Sequence, residues 1–372
     1  QLTRLFGISD AQFGLLVSAY TLSAGVSGLL ATTYLDRHGR KRLLLVLYGL
    51  FALATLACGL APSYGALMLA RVAAGLFGGV LTALVHTVIA DAVPYERRGQ
   101  AMGVVMAAFS VSTVAGVPAG LWLAHWGGWH APFILLGVLC VLFGALAWRF
   151  MPRLHQHLST QTSRPAVLTG LLNTIRPPAH LWAFAFTLLN MMAGFMVIPF
   201  ITIFMQTNVG LSAEQVPLMY LVGGAATLFS ARYIGKLSDR KGKRWVYRRL
   251  AYLSLLPLFG MTLLPTAAPL WWVLCVSTAF FTIVSGRMIP GMALLTQTAA
   301  PAQRGAFMSL NGAVQSLGMG LAAFIGGLLI SRNAQGLVEG YVWNAALGAV
   351  AALGAVYLSR RLKEHPTQGA SS

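Results

Sequence analysis

Acidic side chains are scarce in this sequence. Eight Asp and Glu stand among 372 residues, against 26 Lys and Arg, and charged residues of both signs make up only 9%. A water-soluble chain carries about 25% charged residues to cover its surface, so a soluble globular protein of this size is excluded. Cysteine is scarce too. Cys58, Cys140 and Cys275 fall inside apolar runs without metal-ligand spacing, which argues against a zinc site and leaves packing roles. No ATP-binding motif and no nucleophile–base pair is visible, so neither a primary pump nor an enzyme is expected. The net charge of +18 does not point to a nucleic-acid partner. It sits in short turns between apolar runs, and no polar domain presents it.

Apolar length is what the chain has in abundance. Hydrophobic residues make up 57% and the mean hydropathy is +0.72. Apolar runs recur at about 12–34, 43–61, 66–90, 101–124, 130–150, 180–205, 213–235, 246–265, 269–297, 304–330 and 341–359, most of them long enough to cross a bilayer. Hydrophobicity is continuous along each run, whereas barrel strands alternate, so the runs are helices. The fold class is an all-α membrane protein with eleven visible spans. One set of turns collects Arg37 to Arg42, Arg97 and Arg98, Arg149 to Arg176, Arg232 to Arg249, Arg304, and Arg360 to Lys363; the other holds only Arg4 and Arg332. That asymmetry predicts basic loops and a C-terminus in the cytoplasm, with the lipid bilayer as surroundings.

The chain also repeats itself. Asp36-Arg37-His38-Gly39-Arg40-Lys41-Arg42 returns 203 residues later as Asp239-Arg240-Lys241-Gly242-Lys243-Arg244. Gly7-Ile8-Ser9-Asp10-Ala11-Gln12 returns at the same offset as Gly210-Leu211-Ser212-Ala213-Glu214-Gln215, and both carry the Ser-x-x-Gln pattern of a helix capping box. Two homologous halves follow: a bundle over 1–150, a linker over 151–179, a six-helix bundle over 180–359 and a tail over 360–372. The counterpart of span 180–205 would precede Gln1. One further N-terminal span is therefore expected in the full protein, giving six plus six.

With these motifs the chain resembles the major facilitator superfamily. The family's signature loop, Gly-x-x-x-Asp-Arg-x-Gly-Arg-Lys, is matched at Asp36, Arg37, Gly39 and Arg40, with Thr32 in place of the leading glycine, and at Gly235, Asp239, Arg240 and Gly242. Arg71-Val72-Ala73-Ala74-Gly75 is similar to the fourth-span signature. Gly116-Val117-Pro118-Ala119-Gly120 resembles the fifth-span signature of the drug–proton antiporter and sugar-efflux branch, with Val117 inserted between Gly and Pro. The resemblance implies two pseudo-symmetric six-helix bundles rocking about a central site. It implies a monomeric secondary transporter that exports a small-molecule substrate, drug-like or sugar, with a proton gradient as driving force and no cofactor. A cell inner membrane is the expected location for such a transporter. An uptake carrier or uniporter of the same fold, and a non-transporting receptor or membrane enzyme, are the alternatives.

The resemblance also assigns candidate residues. In the family the loop Asp and Arg join an acidic residue at the end of the fourth span, here Asp91, in a charge cluster that latches one conformation. The candidate latch is Asp36, Arg37, Arg40 and Asp91 in the first half and Asp239 and Arg240 in the second, where no counterpart of Asp91 exists. Gly39 and Gly242 would supply tight turns and Gly235 a close helix approach. Alternatively, these loops only set topology. Arg71, Gly75, Gly78, Thr82 and His86 share one helical face, suited to a cavity because a lipid-facing Arg costs about 2.5 kcal/mol or more. Arg71 could instead snorkel, and His86 could pack against a carbonyl. Arg287 lies inside its span beside Pro290, where a kink is expected. It would receive an anionic substrate group or a partner carboxylate, or else form an interhelical bond. Asn190, Asn311 and Gln315 are cavity candidates or interhelical amides. Trp122, Trp126, Trp129, Trp271 and Trp272 are expected at the membrane interface. No carboxylate lies inside a span. The protonatable group of a proton antiporter would then belong to the further N-terminal span, or be His86, or transport is not proton-coupled.

Overall fold

The computed structural model describes residues 5–31, 39–92, 105, 108, 111–150, 173–299 and 304–362. The first half holds α1 (Asp10–Ala31), α2 (Arg40–Gly59), α3 (Tyr64–Ala92), a π-helical turn at Ser112–Gly116 leading into α4 (Val117–Gly127), and α5 (Ala131–Phe150). In the second half α6 (Pro178–Phe195), a 3-10 turn, α7 (Ile201–Phe204) and a π turn at Met205–Val209 form one crossing. Next come α8 (Gln215–Lys241), α9 (Lys243–Leu253), α10 (Leu255–Thr262), α11 (Leu270–Gly286), α12 (Met288–Thr298), α13 (Arg304–Leu329) and α14 (Tyr341–Ser359). A short antiparallel hairpin of β1 (Ser331–Arg332) and β2 (Val338–Glu339) joins α13 to α14. Among the described residues, eight helical segments are long and apolar enough to cross a membrane, and the chain is a multi-pass membrane protein.

Both capping boxes form. Ser9 N–H donates to Gln12 Oε1 at 2.9 Å, and Gln12 N–H to Ser9 Oγ at 3.2 Å. Ser212 and Gln215 repeat this at 3.0 and 3.3 Å. The same local chemistry thus opens α1 and α8, as the repeat predicts.

The helix breaks share one cause. A proline inside a helix has no N–H and presses its ring on the carbonyl four residues earlier. Pro199 stands four residues beyond Phe195, where α6 ends, and Pro257 four beyond Leu253, where α9 ends. Pro290 stands four beyond Gly286, where α11 ends, so the kink expected beside Pro290 falls at Arg287. Pro118 stands four beyond Val114, inside the π turn.

In the first half α3 packs against α1 and α2, and α2 against α5; in the second, α6 packs against α13 and α14, and α8 against α11. The halves meet where α1 lies along α13 and where α4 and its π turn lie along α8. The main apolar core fills the second half, around Phe200, Phe204, Met219, Phe280 and Tyr341 near the β-hairpin, and around Phe186, Tyr247, Leu294 and Phe307 nearer the basic loops. Helix α5 buries only Gly137, and its apolar side chains face outward, as lipid contact permits. Trp126, Trp271 and Trp272 are exposed as interfacial residues should be, but Trp129 is not. It packs against Phe6, His130 and Phe133, because the turn after Gly128 (φ 76°) folds the ring back onto the bundle.

Candidate functional site

The contact between halves is built from glycine. A Cβ on Gly14 of α1 would stand 2.8 Å from Gly327 Cα of α13, and one on Gly25 would stand 3.0 Å from the Ala313 carbonyl. Backbones approach this closely only where side chains are absent. At the hairpin end of this seam, Arg332 on β1 donates to both carboxylate oxygens of Asp10, from Nε at 2.8 Å and Nη2 at 3.0 Å. The Asp10 side chain is 5% exposed and that of Arg332 31%. Asp10 also sits in the first turn of α1, where the helix dipole favours a carboxylate. The hydrogen bonds to Asp10 hold the Arg332 guanidinium above its ordinary pKa. This fork-shaped pair ties the two halves together. Nothing in the spacing announced it, since its members lie 322 residues apart. The available signal was that few charges stand at this end of the molecule, Asp10 and Arg332 among them.

Inside the second half, Asn190 and Arg287 come together. Arg287 is 1% exposed and donates to Ser254 Oγ at 3.2 Å and to the Asn190 carbonyl at 3.3 Å. Asn190 Oδ1 accepts from the Tyr247 hydroxyl at 3.0 Å, and its Nδ2 donates to Met288 Sδ at 3.1 Å. The cluster sits where the α9–α10 and α11–α12 breaks face α6, and Arg287 Nε remains buried without a partner. Asn311 is elsewhere: its Oδ1 accepts from Thr187 at 2.6 Å, fastening α13 to α6. Gln315, one turn on, is half-buried. In the first half Arg71 reaches the Leu16 and Val17 carbonyls at 3.5 Å and lies over the Tyr20 ring, 5.0 Å from its centroid. Gly75 and Gly78 abut Tyr20 on the same stripe. The upper part of that face is therefore turned to α1, whereas Thr82 is exposed and donates to the Gly78 carbonyl. The side chain of His86 lies outside the described residues.

The Major Facilitator Superfamily is matched over residues 1–286 and again over 184–372, so the two matches span the whole chain. The chain belongs to the Major Facilitator Superfamily. Superfamily relatives include the inner membrane transport protein YdhP of Escherichia coli K12, 27% identical over 345 residues that cover 93% of this chain and 85% of YdhP. The uncharacterized transporter YtbD of Bacillus subtilis is 25% identical over 93% of this chain and 85% of its own. Among solved structures, a bacterial homolog of the human lysosomal transporter Spinster, inward-facing and unoccupied, superposes with a TM-score of 0.76 at 18% identity, covering 98% of this chain and 93% of its own. A D-xylose–proton symporter gives 0.74 at 16%, covering 93% and 87%. These two share the fold.

The superfamily's signature residues fare unevenly. Asp36 and Arg37 lie outside the described residues, as do the side chains of Arg40 and Asp91. Gly39 has φ −58° and ψ 123°, which any residue adopts, so a glycine turn is not needed there. Gly242 has φ +89°, in the region that favours glycine. Gly235 faces open space among the described residues, so no close helix approach forms at it: the packed face of α8 here is the one that carries Ile234 and Ser238. Asp239 and Arg240 are exposed, without an ion pair among the described residues. In the fifth-span motif, Pro118 is buried, a Cβ on Gly120 would meet nothing within 4 Å among the described residues, and Gly116 closes the π turn. A π turn is how a helix absorbs one extra residue. Val117, which separates Gly116 from Pro118, follows that turn directly, and the widened turn is itself seated on α8 of the other half.

Proposed function

We propose that this superfamily transporter exports a small organic solute, drug-like or sugar, across the inner membrane by alternating access coupled to the proton gradient. The observation that carries the proposal is the Asp10–Arg332 fork above the Gly14–Gly327 contact. It is a breakable closure between two halves, of the kind alternating access requires. The positive-inside bias supports basic loops in the cytoplasm and the β-hairpin outside; in that orientation the fork closes the outer end. Export is supported by the fifth-span motif, whose proline and π turn lie on the second half. The inner membrane is supported by the name of the E. coli relative. Arg71, Thr82, His86, Asn190, Arg287, Asn311 and Gln315 are the proposed pathway residues. Among them the exposure of Thr82 supports contact with solute, and the interhelical bonds of Arg71, Asn190, Arg287 and Asn311 support a role in fixing helix positions.

The test is transport by the full-length protein in proteoliposomes of known orientation, with an imposed pH gradient and a panel of labelled drugs and sugars. Gradient-driven movement out through the hairpin face is expected. Movement only in the opposite direction would make it an uptake carrier, and counterflow insensitive to the gradient would make it a uniporter.

A further inference from the structure

Helix α9 and the start of α10 carry a feature that the transport reading does not use. Trp245, Arg248, Arg249, Tyr252, Leu253 and Leu256 line a surface groove of about 760 Å³. They recur every three or four residues and so form one face. Their chemistry changes in order along that face. Trp245, Arg248 and Arg249 lie within the first turns after the basic loop. Tyr252 follows, and Leu253 and Leu256 point outward deeper in the span, at 47% and 73% exposure. From Trp245 to Leu256 this gradient covers about 16 Å at 1.5 Å per residue.

The polar end of the groove is strongly cationic. Lys241 Nζ and the Arg249 guanidinium both lie over the Trp245 ring, 5.2 and 5.1 Å from its centroid. Arg248 Nε is buried without a partner. Among the described residues no carboxylate pairs with Arg248, Arg249 or Lys241. Cations gathered on one aromatic ring repel one another unless an anion lies between them. Since the chain is a membrane protein, the molecule that brings a phosphate to this depth and leaves alkyl chain against Leu253 and Leu256 is a lipid.

We propose that the α9 groove binds an acidic phospholipid. Its phosphate lies between Arg248 and Arg249, its glycerol region against Trp245 and Tyr252, and an acyl chain along Leu253 and Leu256. Basic pockets beside membrane helices hold acidic headgroups in this manner. The site is distinct from the inter-half seam, so it stands whether or not the export proposal does.

The experiment is native mass spectrometry of the purified full-length protein titrated with phosphatidylglycerol, with phosphatidylcholine of the same chains, and with inorganic phosphate. One saturable phosphatidylglycerol adduct is expected, with neither of the others matching it. Arg249→Gln should weaken that adduct roughly fivefold and Arg248→Gln with Arg249→Gln about 30-fold. Arg232→Gln with Lys236→Gln, which removes the same charge from exposed positions on α8, should leave it unchanged. Because Arg248→Gln disturbs a partly buried residue, Arg249→Gln and Trp245→Leu carry the test if the double variant misfolds. Equal weakening by the α8 variant, equal binding of phosphatidylcholine, or an adduct insensitive to Arg249→Gln would each overturn the proposal. So would inorganic phosphate that binds as tightly as the lipid.

Discussion

Replacing Asp10 with Asn keeps the shape at the start of α1 but removes the charge that holds Arg332. The fork comprises two charge-assisted hydrogen bonds at 2.8 and 3.0 Å, and a hydrogen bond to a charged group contributes about 1.5–3 kcal/mol. The Arg332 side chain is 31% exposed, so water and salt take back part of that, and a net of about 1–2 kcal/mol remains. Such a change moves a two-state ratio by about 5–30-fold. Spin labels at Pro62→Cys and Gln335→Cys, both exposed at the hairpin end, would report it by pulsed distance measurement in protein lacking Cys58, Cys140 and Cys275. Asp10→Asn and Arg332→Gln should each raise the long-distance population by that factor. The reversed pair, Asp10→Arg with Arg332→Asp, should recover only part of the closure, because a cation at a helix N-terminus opposes the dipole. The guanidinium pKa is raised, so its share of the closure is complete below its ordinary value and is lost only as pH climbs through the raised one. Neutral to moderately alkaline pH should therefore leave the distances unchanged. If both single variants keep the wild-type distance distribution, the fork is not a closure and the reasoning fails.

Further outcomes follow from other contacts. Gly14→Leu should part α1 from α13 at the hairpin end and shift the same label distances more than Asp10→Asn does, since its side chain would meet Gly327. Asn190→Leu should lower the melting temperature more than Tyr247→Phe. Each change strands one buried group, the Tyr247 hydroxyl in the first and Asn190 Oδ1 in the second, at about 1–3 kcal/mol, but the first also forfeits the Met288 contact and the fit of the amide; equal melting losses would remove Asn190 as the hub. Gly242→Ala should cost about 1 kcal/mol or more, read as a lower melting temperature, while Gly39→Ala at ordinary φ should be close to neutral.

The spans could be read from sequence because lipid demands continuous apolar helices, and the two capping boxes because Ser9–Gln12 and Ser212–Gln215 encode the same local bonds. Helix breaks were only partly legible. Pro290 announced a kink, yet the residue displaced is Arg287, because proline acts on the carbonyl a turn behind it. Gly235 and Trp129 show the limit of motif and composition: what surrounds a glycine or turns an indole inward depends on neighbours distant in sequence. The Asp10–Arg332 pair shows it most clearly. Asp10 reads locally as a first-turn acid and Arg332 as a loop cation, and only the packing of α1 along α13 brings them within bonding distance.

The seam at Gly14 and Gly327 has a consequence for reversibility. Ordering a long side chain at a closing surface costs up to about 2 kcal/mol of rotamer entropy. Two glycines have no rotamers to lose. If the halves part here, as the proposed alternating access requires, they would do so with no entropic toll from side chains at this point, and the difference between open and closed would be left to a few directional bonds. A transporter that must change shape in every cycle is well served by a joint whose surfaces need no rearrangement in order to touch.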